Sequence, residues 1–440
     1  MGIFRHRIRW LLVFLMFVIS AVSFLDRVNW SIAVFPIEQT FHLSDIQFGW
    51  VFSAWALGYA LFQAPSGHLA DRFGPRRTLA LGTMAWAIFT ALTALVPSGV
   101  AGSLVLLVAV RFLLGAGESV VYPASNRLVA SWIPSQERGI ANGFIFAGVG
   151  AGAGITTPLI TYVILNYGWK WAFWVSALIG LLAGVVWFVV ARDKPREHPW
   201  VAAEEAAYIE SGIPPSTKQS PGHGFPWRGI FTNSSVLALT ASYFCYGYVA
   251  YIFFAWFFKY LSQVRGLNLK SSPYYAMLPF IAMAIGSPLG GWISDRVVKR
   301  SGERTGRCGV ACGSMMLAAV FVALGVRAAD ARVATLVLAG GAGTLYLSQS
   351  AFWSLSSRIG GRSAGSLSGV MNMGSQIGGA ATASVTPWIA KYFGWGNSFF
   401  VAAAVCGVGA ILWLAVNPDS TLAMKTEPLV AKQAVSPEHV

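Results

Sequence analysis

The chain has 440 residues, of which 55% are hydrophobic and only 11% charged, and its mean hydropathy is +0.60. That leaves too little polar surface to coat a water-soluble domain of this size, so a soluble enzyme or regulator is excluded. The net charge of +14 does not require nucleic acid, because anionic lipid at a membrane's inner leaflet attracts basic loops.

Apolar runs of about 20 residues, the length a helix needs to cross roughly 30 Å of hydrocarbon, recur along the chain. The pattern predicts an all-α integral membrane protein with twelve transmembrane helices, at residues 10–35, 47–70, 78–98, 102–123, 138–163, 169–191, 235–258, 273–296, 309–328, 333–355, 364–391 and 396–417. The first run follows Arg5, Arg7 and Arg9 and contains Ala21-Val22-Ser23, which loosely resembles a secretory cleavage site. It continues through Asp26 and Arg27 to Phe35, however, and so reads as an uncleaved first helix. Lys170, Lys259, Arg265, Lys270, Arg327, Arg332 and Lys391 fall in loops on one side, Arg27 and Arg111 fall within helices, and every other Lys and Arg falls on the opposite side. Cations stay preferentially on the cytoplasmic side, which places both termini there. The outer-loop cations Lys259, Arg265 and Lys270 read as an exposed solvated loop, with attraction of anions as the alternative.

The sequence repeats. Gly67-His68-Leu69-Ala70-Asp71-Arg72 matches Gly291-Trp292-Ile293-Ser294-Asp295-Arg296, and Gly115-Ala116-Gly117, Gly143 and Tyr167-Gly168-Trp169 match Gly341-Ala342-Gly343, Gly369 and Phe393-Gly394-Trp395 at an offset of 226. Two six-helix bundles follow, 1–191 and 235–417, with a cytoplasmic linker at 192–234 that carries one short helix and a disordered cytoplasmic tail at 418–440. Cys245, Cys308, Cys312 and Cys406 form no zinc pattern and read as reduced core residues. The chain has no P-loop, no metal-ligand spacing and no acyltransferase motif, so a membrane enzyme is not expected, and neither is a cofactor.

Gly67 to Arg77 carries the pattern Gly-Xaa-Xaa-Xaa-Asp-Arg-Xaa-Gly-Xaa-Arg-Arg. Gly67 permits close helix contact, Asp71 can meet a neighbouring helix N-terminus, and Arg72, Arg76 and Arg77 can hold the inner leaflet or cytoplasmic acids. The pattern resembles the signature of the major facilitator superfamily between its second and third helices, and the degenerate copy at 291–307, with Asp295 and Arg296, supports that resemblance. It implies that these residues stabilise a gate in one conformation; plain topology-setting by positive charge is the alternative.

Asp26, Arg27, Arg111 and Glu118 lie inside the predicted first and fourth helices. An ionised side chain at mid-membrane costs ~2.5–3.5 kcal/mol on insertion scales, so each needs a partner or a purpose. Arg111 and Glu118 share one helix face about two turns, or ~10.5 Å, apart, whereas Asp26 and Arg27 point about 100° apart and can meet different neighbours. The second half has Val337 and Thr344 at the matching positions and offers Tyr346, Gln349, Trp353, Asn372 and Gln376 instead. Such a division suits a substrate with a carboxylate and hydroxyl groups, since Arg grips carboxylates and a buried acid can take up and release a proton. No histidine lies deep in a predicted helix, which leaves proton coupling to carboxylates. Fixed ion pairs joining the two helices are the alternative.

Leu25-Asp26-Arg27-Val28-Asn29, Tyr59 with Gln63-Ala64-Pro65, Arg111 to Glu118, Tyr122-Pro123-Ala124, and Trp132-Ile133-Pro134 followed by Glu137-Arg138 together resemble the anion:cation symporter family. Ala203-Glu204-Glu205-Ala206-Ala207-Tyr208-Ile209 resembles its short acidic stretch after the sixth helix. The family carries hexuronates, galactonate, glucarate, tartrate, sialic acid and phthalate, mostly by proton symport in bacteria. The resemblance implies that Arg27 clamps a carboxylate beside Tyr59, that Asp26 and Glu118 are the protonatable pair, that Arg111 modulates them, and that Gln349 and Asn372 contact hydroxyls. The expected protein is a monomeric, multi-pass transporter of the bacterial inner membrane, importing a small organic anion such as a sugar acid by alternating access. Protons are the expected co-substrate, with sodium as an alternative, and lipid is the surrounding partner. A drug/proton antiporter of the same fold and a non-transporting anion receptor are the rival functions.

Overall fold

The computed structural model describes residues 8–43, 45–214, 227–257, 260–266 and 273–422, and every regular element among them is helical. The first half contains α1 (Ile8–Ile32), α2 (Val34–Phe41), α3 (Asp45–Phe73), α4 (Pro75–Leu95), α5 (Ser103–Glu118), α6 (Val121–Trp132), α7 (Arg138–Tyr167) and α8 (Trp169–Val190). Two short helices, α9 (Ala203–Ser211) and α10 (Trp227–Thr232), lie in the linker. The second half contains α11 (Ser234–Ala255), α12 (Pro273–Glu303), α13 (Val310–Arg327), α14 (Ala331–Leu347), α15 (Gln349–Gly360), α16 (Ala364–Phe393) and α17 (Trp395–Leu412). Lys259, Lys270 and residues 423–440 of the expected tail lie outside the described residues.

Nine helical stretches among the described residues are long and apolar enough to cross a membrane. Two of them, Met277–Arg327 and Ala331–Thr382, each cover two of the spans expected from sequence. The expected span at 47–70 does not meet this criterion, and its composition explains why: α3 carries Gln63, Ser66, His68 and Asp71. Gln63, Ser66 and Asp71 are buried, and α3 packs against α16 of the other half, so these groups face protein rather than lipid.

The repeat survives as packing. In the first half α1 lies against α7, α3 against α5 and α4 against α8; in the second, α11 lies against α16, α12 against α14 and α13 against α17. The halves meet where α12 crosses α7 and α16 crosses α3. Glycine permits both crossings, because a Cβ on Gly67 would strike the backbone of Gly365, and one on Gly291 would strike that of Gly139.

Three boundaries depart from the sequence reading. The expected fourth helix is interrupted after Glu118 and resumes at Val121, continuing to Trp132. Pro123, the third residue of α6, cannot donate to the carbonyl of Ser119, which favours a break there. The expected tenth helix is interrupted at Ser348 and runs on to Gly360. Residues 418–422, assigned to a disordered tail, are tied down: Arg358 donates to the carbonyl of Pro418 and to Asp419, the Asn233 amide donates to Ser420, and the Leu422 N–H donates to the Ile359 carbonyl. Arg265, read as a solvated loop cation, donates instead to Tyr260 Oη at 2.7 Å and to the carbonyl of Ala328 at 2.8 Å, just past the end of α13. There it neutralises the negative end of that helix.

Candidate functional site

The four charges lie on α1 and α5, and α3 supplies aromatic neighbours to them. Arg27 Nε donates to Glu118 Oε1 at 2.8 Å, and Trp55 Nε1 donates to Glu118 Oε2 at 2.9 Å, so both oxygens of this fully buried carboxylate are engaged. The Arg27 guanidinium lies 4.5 Å from the ring centre of Phe24, 4.9 Å from Trp55 and 4.6 Å from Tyr59. Trp55 and Tyr59, one turn apart on α3, stack at 5.5 Å. This cage holds the cation by ring quadrupoles as well as by its ion pair. Arg27 Nη2 and the Tyr59 hydroxyl are buried without a hydrogen-bond partner, which leaves donors free beside an already gripped guanidinium.

Asp26 points away from that cage, as the rotation between adjacent helical positions requires. It is 2% exposed, and neither of its oxygens is hydrogen-bonded. Arg111 and Glu118 are its charged neighbours, with Thr90 and Trp86 beside it, although the Thr90 hydroxyl and the Trp86 Nε1 are also without partners. The Arg111 guanidinium sits 4.5 Å from the ring centre of Trp30, and its Nε has no partner. Among the described residues Arg27 and Glu118 form the ion pair of this group. The alternative in which all four charges are locked in pairs is therefore corrected to one pair and two charges adjusted to each other only at longer range.

The opposing wall is neutral. Gln349 Nε2 and Trp353 Nε1, one turn apart on α15, both donate to Tyr243 Oη of α11 at 2.9 Å. Tyr251 Oη donates to Gln376 at 2.6 Å. Asn372 Nδ2 donates to Gln63 Oε1 at 3.0 Å, which joins α16 to α3 across the two halves. Tyr122 and Phe146 stack at 4.7 Å, and Phe146 meets Trp353 at 4.9 Å with the rings tilted. Gln349 and Asn372, expected to face substrate hydroxyls, are thus hydrogen-bonded within the protein.

The motif residues lie at the end of the molecule that carries Arg72, Arg76, Arg127, Arg138 and Arg307, termed the basic end below. Asp71 accepts from the N–H groups of Gly365 at 2.9 Å and Ser366 at 2.7 Å and from the Ser366 hydroxyl, and forms an ion pair with Arg127 at 3.6 Å. Asp295 accepts from the N–H groups of Gly139 at 3.0 Å and Ile140 at 2.7 Å, and pairs with Arg307 at 2.6 Å. Each aspartate caps the N-terminus of a helix from the other half, where orphan amides and the helix dipole favour a negative charge. Arg76 donates to the carbonyl of Phe188 and through its own N–H to Asp193. Arg72 and Arg296 instead lie over the rings of Phe73 and Trp292. Further bonds join the halves here: Asn126 to Ser356 at 3.0 Å, Asn142 to Ser354 at 3.3 Å, and Arg307 to the carbonyl of Ser135 at 3.0 Å.

Sequence reasoning missed Trp55, Phe24, Tyr243, Asn126 and Arg307. Trp55 had a signal, being one helical turn before Tyr59. Arg307 lies inside the degenerate second motif but at a spacing the first copy does not predict.

A family profile for the Major Facilitator Superfamily matches residues 14–383. The chain is 33% identical over 420 residues to the probable sulfoacetate transporter SauU of Cupriavidus necator, covering 95% of this chain and 96% of that one. It is 32% identical over 309 residues to the probable galactarate/D-glucarate transporter GudP of Bacillus subtilis, covering 68% of each chain. Its fold matches the proton:xylose symporter XylE with a TM-score of 0.73 at 17% identity, covering 95% of this chain and 98% of that one. The chain belongs to the major facilitator superfamily, a family of multi-pass membrane transporters and not of enzymes, in the anion:cation symporter branch that its motifs resemble.

Proposed function

We propose that this protein is a proton-coupled symporter that imports a small organic anion, such as a sugar acid, across the bacterial inner membrane. The observation that carries the reading is Arg27: a partly buried cation already held by Glu118, caged by three aromatic rings, with Nη2 and the neighbouring Tyr59 hydroxyl free of partners. Glu118 and a substrate anion then compete for one guanidinium. Protonation of Glu118 weakens its hold and releases Arg27 to the anion; departure of the anion favours the pair again and expels the proton. Asp26 is the second protonatable group, and Arg111 tunes both acids. Gln349 and Asn372 become hydroxyl contacts once their present partners yield. Sulfoacetate and galactarate or glucarate, named for the two relatives, fit the class of small acids.

In this reading twelve spans form two bundles, 1–191 and 235–417, joined by the linker, with the basic end and both termini in the cytoplasm. The bundles rock as rigid bodies around the central site. Gly67, Asp71, Arg72, Arg76, Asp295 and Arg296 belong to the gate that closes the cytoplasmic side, and no cofactor is used. The test is uptake of radiolabelled sulfoacetate, galactarate, D-glucarate and galactonate into vesicles with an imposed inward proton gradient. Accumulation of one acid that collapses with the gradient supports the reading. Accumulation that persists on a sodium gradient alone replaces the proton, and accumulation of none turns attention to cationic drugs and efflux.

A further inference from the structure

The basic-end gate uses the connector between α6 and α7, in which Ser135–Glu137 form a single 3-10 turn. Residues 133–137, between α6 and α7, present the Ser135 carbonyl to Arg307 at 3.0 Å, and the amides of Gly139 and Ile140 that follow receive Asp295. Both contacts reach into the second half, so the position of this loop sets whether they form.

On its other side the same loop is gripped by the linker. The Ser135 N–H and hydroxyl both donate to the carbonyl of Gly212, at the end of α9, at 3.0 and 3.2 Å. Tyr208 Oη of α9 donates to Glu137 Oε1 at 2.6 Å, and Arg9 Nε donates to Glu137 Oε2 at 3.0 Å. Arg9 also pairs with Glu205 of α9 at 3.0 Å and lies 4.9 Å from the ring centre of Tyr208. Glu205, 3% exposed, accepts the N–H groups of Ile8 and Arg9, and so caps α1 from almost 200 positions away. One turn along, Ile209 is fully buried. The helix is thus seated by an apolar contact and oriented by a charged cluster, while its exit carbonyl holds the gate loop.

We propose that the linker helix α9 is a working part of the gate: Glu205, Tyr208 and Glu137 are positioning residues that hold the α6–α7 loop where Arg307 and Asp295 can reach it. Tyr208 acts on the loop directly through Glu137, and Glu205 acts on it through Arg9. The inference rests on the alternating-access reading only in giving the gate a purpose; the contacts and their test stand without a substrate.

The test uses the full chain with its four cysteines replaced by serine and one reporter, Ser356→Cys, which sits buried between the halves opposite Asn126. Alkylation by an impermeant maleimide from the basic side of inverted vesicles reads opening of that end. Glu205→Gln and Tyr208→Phe are each expected to raise the labelling rate about fivefold, the lower end of ordinary coupling between sites, with thermal stability in detergent unchanged for Tyr208→Phe. In an Arg307→Ala background the same substitutions are expected to add less, because one of the two contacts through which α9 acts is gone. If Glu205→Gln fails to fold, Tyr208→Phe carries the test, since it removes one hydroxyl from a half-exposed ring. Unchanged labelling in the folded variants overturns the proposal. So does a rise that persists undiminished without Arg307, because α9 would then be stabilising the fold in general and not this gate.

Discussion

At the basic end the two halves of the chain use one device twice. Asp71 caps α16 and Asp295 caps α7, each across the boundary and each beside a pair of glycines that lets the helices touch. In the middle of the membrane the halves share helix geometry and little else. The first half holds Asp26, Arg27, Arg111 and Glu118, while the second holds Tyr243, Gln349 and Trp353 in a neutral network. A gate that must hold two rigid bodies together gains from symmetry, because each copy braces one side of the same interface. A coupling site gains from asymmetry, because a charged group in both walls would leave more buried charge to compensate each time the site empties.

The largest effect that tests this contrast is expected at Arg27. Arg27→Ala leaves Glu118 buried without its cation, a change that typically costs about 3–5 kcal/mol when one partner of a buried pair is removed. Substrate binding should fall more than about 100-fold, the affinity equivalent of ~3 kcal/mol, as read by counterflow in proteoliposomes. Arg27→Lys keeps a charge but loses the fork and the flat face over Phe24, Trp55 and Tyr59, and should recover only part of the loss. Glu118→Gln should behave differently: exchange of substrate across the membrane continues, while accumulation driven by a proton gradient stops. If both variants lost exchange equally, the carboxylate would be a strut for Arg27, not a proton carrier.

Much of this contrast was legible in the sequence, for physical reasons. Ionisable residues in an apolar run are conspicuous, so Asp26, Arg27, Arg111 and Glu118 stood out before any partner was known. Cation counts and the repeated glycine-aspartate motif marked the basic end. The partners were less legible, because helix rotation decides them: Asp26 and Glu118 are both within reach of arginines, and nothing in the chain says that Arg27 takes Glu118. The interruptions after Glu118 and at Ser348 lay within runs apolar enough to pass as continuous helices. Asn372 and Gln349 were expected at substrate hydroxyls from the family resemblance, and that their partners are Gln63 and Tyr243 depends on packing across elements far apart in sequence. The docking of α9 was invisible for the same reason: a short amphipathic linker helix can be read from the sequence, but not that it meets α1.

Symmetry at the gate predicts equal and intermediate effects. Asp71→Asn and Asp295→Asn each remove a charge from a helix N-terminus while keeping a side-chain acceptor, and each should weaken closure of the basic end by about 1–2 kcal/mol. Maleimide labelling of Ser356→Cys reads both. A clear inequality, with only one variant opening the gate, would show that the repeat persists there as ancestry and that one half has taken over closure.

The smallest effect is expected in the neutral wall, and it decides whether the asymmetry at the centre is real. Tyr243→Phe removes the acceptor shared by Gln349 Nε2 and Trp353 Nε1. Each orphaned donor carries a desolvation penalty of about 1–3 kcal/mol if it stays dry, but both side chains border the region between the halves and can turn toward water or substrate. Affinity should therefore shift by less than about tenfold, the equivalent of ~1.4 kcal/mol. The ratio of uptake with and without an inward proton gradient should stay at its wild-type value, because no group that gains or loses a proton near neutral pH has been touched. Uptake measured against substrate concentration at two imposed gradients separates the two quantities. A change in KM alone keeps coupling in the first half. A change in the gradient ratio would mean that Tyr243 relays the state of the ionic centre between the halves, and the neutral wall would have to be counted as part of the coupling machinery.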